Sequence, residues 1–208
     1  MSDLRQDIVE ISTRLKLNSH NGLSTVFERL YEEVSRGAIA RYHALLQLIV
    51  AIDLHLRGFD VRVEEELPTG FKADVYAESP CCSVIVEVET GYIPQEWILR
   101  LEDFIASRVA FKAVAYSIDS DIFILAIPSH LRLLIPNPLL KPIEERDELD
   151  ISMIRAMVTR YNRNQATRIG WRAQLARIDA IGYINVEEAI VEYIRLNNRN
   201  VKLSMLWG

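Results

Sequence analysis

The run Ser83-Val84-Ile85-Val86-Glu87-Val88 constrains this chain more than any other segment. Apolar, β-branched residues stand on both of its alternating faces, so it reads as a central strand covered from both sides. The segments just before it alternate with period two. Phe59, Val61 and Val63 come first, and Pro68-Thr69-Gly70 turns the chain. Phe71, Ala73, Val75 and Ala77 then face one way, with Lys72, Asp74 and Tyr76 facing the other. Three such strands can meander antiparallel. Further upstream the apolar spacing is helical. It predicts helices over 3–16, from Ser24 as N-cap to Gly37, and from about Ala40 to Arg57 with a stop at Gly58. The last is apolar nearly all round, as a central helix is.

Downstream, residues 95–107 read as an amphipathic helix, and Val109–Tyr116 and Ile122–Ile127 as buried strands. The helix after the third strand makes a crossover to a parallel neighbour. Pro128, Pro136, Pro138 and Pro142 punctuate an irregular crossing. The remainder reads as mostly helical, over 151–163, 171–181 and 186–197, the last with Asn185 as N-cap. The expected architecture is α/β (α+β), a mixed central sheet flanked by helices with a helical C-terminal extension. It divides into N-terminal helices over 1–39, an α/β core over 40–135, and a basic extension over 136–208 in the same globular unit.

A chain of 208 residues, 50% of them hydrophobic, can bury one full core. Its net charge of −5 is unevenly spread: residues 151–208 hold 9 Lys and Arg against 4 Asp and Glu, and residues 1–150 hold 15 against 25. An acidic body with a basic tail suits an anionic polymer held beside a cation site. The only cysteines, Cys81 and Cys82, are neighbours and cannot staple distant segments, which points to a reducing, cytoplasmic setting. The polar N-terminus does not read as a signal peptide, and the apolar run Ala44–Leu56 is too short to span a bilayer. The eight glycines form neither a dinucleotide fingerprint nor a P-loop, so no nucleotide cofactor is expected. The four histidines have no zinc spacing.

The chemistry concentrates in Asp74 on one strand and in Glu87 and Glu89 on the next, the latter two residues apart and so on one face. A carboxylate inside a β-branched run costs desolvation unless something pairs with it. A hard divalent cation, Mg²⁺ or Mn²⁺, is a natural partner, and it can activate water toward a phosphoryl group. The alternative is a polar face on an edge strand.

Gly70-Phe71-Lys72-Ala73-Asp74 followed by Glu87-Val88-Glu89-Thr90-Gly91 resembles the PD-(D/E)XK phosphodiesterase superfamily of restriction enzymes, Holliday-junction resolvases and RecB-type nucleases. The likeness covers roughly residues 40–127. More loosely, the chain is similar to small nuclease-like proteins of archaeal viruses, whose setting would be a host cytoplasm. The resemblance implies a restriction-endonuclease-like core and a metal-dependent nuclease acting on DNA. Asp74 and Glu87 would be ligands together with the Val88 carbonyl. The sequence departs from the family where Glu89 replaces its lysine, which leaves two alternatives to a nuclease: a catalytically inactive nuclease-fold protein that binds DNA, or an acidic module that docks a basic protein partner. In a nuclease, Glu89 would act as general base or as ligand to a second ion. Lys72, two residues before Asp74 on the same face, would supply the missing positive charge.

His43 and Gln47 lie four apart and share a helix face. They either contribute to the site or are satisfied helix residues at the core edge. Glu32 and Glu33 read as a solvated face, and Glu64 to Glu66 as surface charge, with one of these three able to reach the metal. Arg155, Arg160, Arg163, Arg168, Arg172 and Arg177, with Tyr161 and Trp171 between them, form a candidate nucleic-acid surface for duplex, branched or single-stranded DNA. The competing reading is a solvated helical face. A homodimer would suit cutting of both strands, and Leu203–Trp207 would either pack across its interface or close the core of the monomer.

Overall fold

In the computed structural model, which describes residues 22–196 and Gln6, six strands form one sheet in the order of the chain. They are β1 (Asp60–Glu66), β2 (Lys72–Glu78), β3 (Ser83–Val88), β4 (Ile122–Pro128), β5 (Ala180–Asn185) and β6 (Ile190–Arg195). The first three meander antiparallel, β3–β4 and β4–β5 are parallel, and β5–β6 is antiparallel. The sheet is therefore mixed and flanked by helices. On one face lie α1 (Ser24–Ser35) and α2 (Arg41–Leu56), whose Leu30, Leu46 and Ile49 pack on Val75, Val86 and Ile124. On the other lie α3 (Leu101–Tyr116), the short α4 (Asn137–Leu140), α5 (Glu148–Tyr161) and α6 (Arg163–Ile169). There Val114, Ile154 and Ile169 pack on Ile85, Phe123 and Leu125. Among the described residues no helix is long and apolar enough to cross a membrane.

The helix stops at Gly37 and Gly58 stand where expected, both at positive φ. Leu23, not Ser24, is the N-cap of α1; Ser24 is the first helical residue, and no side chain caps this end. Val109–Tyr116 is not a strand. It is the second half of α3, which follows a 3-10 turn over Gln95–Arg100. The segment is apolar on nearly all sides because α3 is sandwiched between the sheet and α5, and Ala110, Ala113 and Ala115 favour helix. The helices expected over 171–181 and 186–197 are also replaced, by a 3-10 turn (Gly170–Gln174) and the β5–β6 hairpin. Asn185 accepts from the N–H groups of Glu187 and Glu188, the bonds of an N-cap put to use in a hairpin turn. The extension thus completes the sheet. The expectations for 3–16 and Leu203–Trp207 fall outside the described residues.

The strict alternation expected along β2 breaks at Asp74. Val75 and Ala77 face the α1–α2 layer, while Phe71, Ala73 and Tyr76 pack in the layer of α3. Opposite Asp74 in the β1–β2 register stands Glu64, at φ 50°.

Asp179, 1% exposed, joins the two halves of the sheet: its Oδ2 accepts from the Phe123 N–H at 2.8 Å and from Arg177 Nε at 3.0 Å. Asp179→Ala leaves a buried N–H and a guanidinium without this acceptor. It is expected to cost about 3 kcal/mol of unfolding free energy by urea titration.

Candidate functional site

β2 and β3 are paired only as far as Val75 opposite Val86. The next pair would set Asp74 against Glu87, and there side chains take over from the backbone ladder. The Asp74 N–H donates to Glu87 Oε1 at 3.1 Å, and the Val88 N–H donates to Asp74 Oδ2 at 2.7 Å. The strands part at this point, and the gap admits side chains from both helical layers.

From α3 comes Lys112. Its Nζ lies 2.9 Å from Glu89 Oε1, 3.2 Å from Glu87 Oε2 and 3.6 Å from Asp74 Oδ2, and it donates to the Val88 carbonyl at 3.0 Å. One turn earlier, Arg108 Nε lies 2.9 Å from Glu89 Oε2. From α2 come His43, whose Nε2 lies 3.0 Å from Asp74 Oδ1, and Gln47, whose Nε2 donates to Asp74 Oδ1 at 3.1 Å and to Glu64 Oε1 at 2.6 Å. His43, Glu64 and Asp74 each offer a ligand atom, all within 4.8 Å of one another. Asp74 thus bridges two clusters, with Oδ2 on the lysine side and Oδ1 on the histidine side. Glu87 is sealed at 3% side-chain exposure, whereas Asp74 (14%), Lys112 (12%) and His43 (18%) reach solvent.

Burial opposes ionisation of Asp74, but the Lys112 ammonium, His43 and the Val88 N–H outweigh it and hold its pKa down at about 2. Burial, reinforced by the charge on Asp74, pushes Glu87 well above the usual carboxylate range. Burial alone would lower Lys112; the carboxylates of Glu89, Glu87 and Asp74 overcome it and raise it well above an ordinary lysine. Glu64 is raised, chiefly by burial. Asp74 is therefore the firmly ionised carboxylate, and Lys112 keeps its charge.

Of the residues singled out from sequence, Asp74, Glu87, Glu89, Val88, His43 and Gln47 come together. Lys72 does not join them: its Nζ lies 3.6 Å from Glu33 Oε1. Glu33 is buried among Arg29, Arg36 and Lys72, not solvated as read from sequence. Glu64, read as surface charge, is buried against Gln47.

The arginine tract is largely engaged in the fold. Arg172, 4% exposed, donates to Asp119 and the Ala115 carbonyl; Arg177 donates to Asp179 and the Ser120 carbonyl. Arg155 donates to the Gly170 carbonyl, Arg160 pairs with Asp103, and Arg168 donates to the Thr69 carbonyl and lies over the Phe71 ring. Arg163 is exposed.

Sequence reading missed Lys112 and Arg108, and took Glu64 first as surface charge. Lys112 was hidden by taking 109–116 as a strand, and Arg108 fell between that strand and the helix expected over 95–107. Their spacing of four, in an otherwise apolar, alanine-rich run, is the signal of two cations on one helix face.

Lys112→Met removes the cation from three carboxylates and is expected to destabilise the fold by about 4 kcal/mol at neutral pH. Glu87 sets the sign of the pH dependence. A carboxyl whose folded-state pKa lies above its ordinary 4.5 stabilises the fold in acid and loses that contribution as pH rises through the raised value. Loss of Lys112 raises it further, so the variant is expected to gain stability relative to wild type as pH falls from neutral toward the ordinary carboxylate range. Chemical denaturation across that interval measures it. Comparison of the chain with protein-family models, with curated proteins and with solved structures gives no match.

Proposed function

We propose that the chain is a divalent-metal-dependent nuclease of the PD-(D/E)XK type, with a restriction-endonuclease-like core and DNA as its substrate. One observation carries this reading: three carboxylates and a backbone carbonyl converge on a single buried cation, Lys112 Nζ, where β2 and β3 separate. An oxygen-lined seat of this kind suits Mg²⁺ or Mn²⁺. Asp74, Glu87 and the Val88 carbonyl would hold the ion, with His43 and Glu64 on the far side of Asp74. Bound there, it would polarise a phosphoryl oxygen and make water a better nucleophile.

The chain's own groups do the rest. Glu89, tethered by Arg108 and Lys112, accepts a proton from the attacking water. Lys112, whose side chain is 12% exposed, would pass from the carboxylates to the phosphate as that negative charge arrives. It takes the part that the family's lysine would have had at position 89. His43 and Gln47 fix the Asp74 carboxylate from behind, which keeps Oδ2 directed at the cation seat.

A second reading is a nuclease-fold protein that binds nucleic acid without cutting it. It is favoured by the same ammonium, which lies on the oxygens that a divalent ion requires. Cleavage of supercoiled plasmid, linear duplex, single strand and four-way junction, with Mg²⁺, Mn²⁺ or EDTA, separates the two. Metal-dependent cutting, reduced at least about a hundredfold in Asp74→Ala, Glu87→Ala and Lys112→Ala, is expected. Binding without cutting by the wild-type chain would establish the second reading, and neither binding nor cutting would overturn both.

A further inference from the structure

An open groove of about 710 Å³ runs past the carboxylate site, between the start of α2 and the loop after β3. Tyr42, His43, Thr90, Tyr92 and Arg108 line it, and no Asp or Glu is among its lining residues. That absence is notable in a chain of net charge −5. The two rings are exposed, Tyr42 at 40% and Tyr92 at 69%. Arg108 fixes the loop by donating from Nη1 to the Tyr92 carbonyl at 3.0 Å. The groove adjoins the site through two residues: His43, which contacts Asp74, and Arg108, which pairs with Glu89. α2 also begins here with no side-chain cap and no acidic residue in its first turn, so its terminal N–H groups do not repel an anion.

We propose that this groove binds single-stranded nucleic acid, with unpaired bases stacked on Tyr42 and Tyr92 and the backbone running toward Arg108. The proposal rests on the nuclease reading of the adjoining site and names the form of its substrate. Exposed aromatic rings that flank a groove with no carboxylate in its lining suit unpaired strands held without sequence preference, since every base has a π-face; the one arginine of the lining, Arg108, is already paired with Glu89. A paired duplex keeps those faces stacked inside and has nothing to offer the rings. The arginine tract cannot take this part as a whole, because Arg172 and Arg177 are engaged in the interior of the fold.

The test is fluorescence anisotropy of the full chain in EDTA with three labelled probes of equal length: an oligothymidylate, an abasic strand and a duplex. The oligothymidylate is expected to bind at least about tenfold more tightly than either of the others. Tyr42→Ala and Tyr92→Ala should each weaken it about tenfold, and the Phe variants should restore it. Both positions are exposed, so the melting temperature should not move. Equal affinity for the abasic strand or the duplex, unchanged binding by the Ala variants, or no binding to any probe would overturn the proposal. Its failure is distinguishable from failure of the nuclease reading. Metal-dependent cutting by the wild-type chain, with oligothymidylate binding unchanged in both Ala variants, removes the groove and leaves the enzyme. Oligothymidylate binding through both rings without metal-dependent cutting removes the enzyme and leaves the groove.

Discussion

The Lys112 ammonium is the interaction on which the centre of this molecule depends. Three carboxylates within reach of one another repel, and burial makes that repulsion stronger by stripping away water. Lys112 lies within 3.6 Å of an oxygen from each of Asp74, Glu87 and Glu89, and it also satisfies the Val88 carbonyl. Its place on α3 ties that helix to the β2–β3 gap by charge as well as by apolar packing. Arg108, one turn earlier, reinforces the same docking through Glu89. The arrangement is costly to desolvate and would be poor design for stability alone. Under the proposed nuclease reading, the same carboxylate oxygens are those a divalent ion would need.

Asp74 is the residue where the two layers of helices meet through the sheet. Val75 and Ala77 follow one layer while Ala73 and Tyr76 follow the other. With the ladder interrupted, its carboxylate can accept from α2 on one oxygen and from β3 on the other. Glu64, held at positive φ on β1, brings a carboxylate oxygen within 4.8 Å of ligand atoms of Asp74 and His43. A regular sheet would have turned Asp74 wholly to one side. The irregularity is what allows His43 and Lys112, from opposite layers, to act on a single carboxylate.

The legible parts of the sequence were those where local pattern and tertiary demand agree. The run around Glu87 could only be a central strand, and Asp74 and Glu87 stood out because carboxylates do not belong in such company without a partner. Helical spacing put His43 and Gln47 on one face, but left open whether they serve the site or are satisfied helix residues. The partner itself was not legible, because Lys112 sits in a segment apolar enough to pass for a strand. A helix buried between a sheet and another helix loses the amphipathic period that would identify it. The C-terminal strands were masked in another way. Asn185 carries a capping signature that a hairpin turn uses equally well. Glu33 and Glu64 were misread because charge alone does not reveal burial. Their partners lie on other elements, Lys72 for one and Gln47 for the other, a pairing that only the fold creates.

Because the strands lie in the sheet in the order in which they are made, each newly synthesised strand meets a sheet edge already present. The acidic strands β2 and β3 can pair while their carboxylates are still hydrated. α3, which carries Lys112 and covers that face, leaves the ribosome only afterwards. The removal of water from three negative charges is thereby deferred to the step that delivers their counter-charge, and the growing chain never has to bury the carboxylates alone.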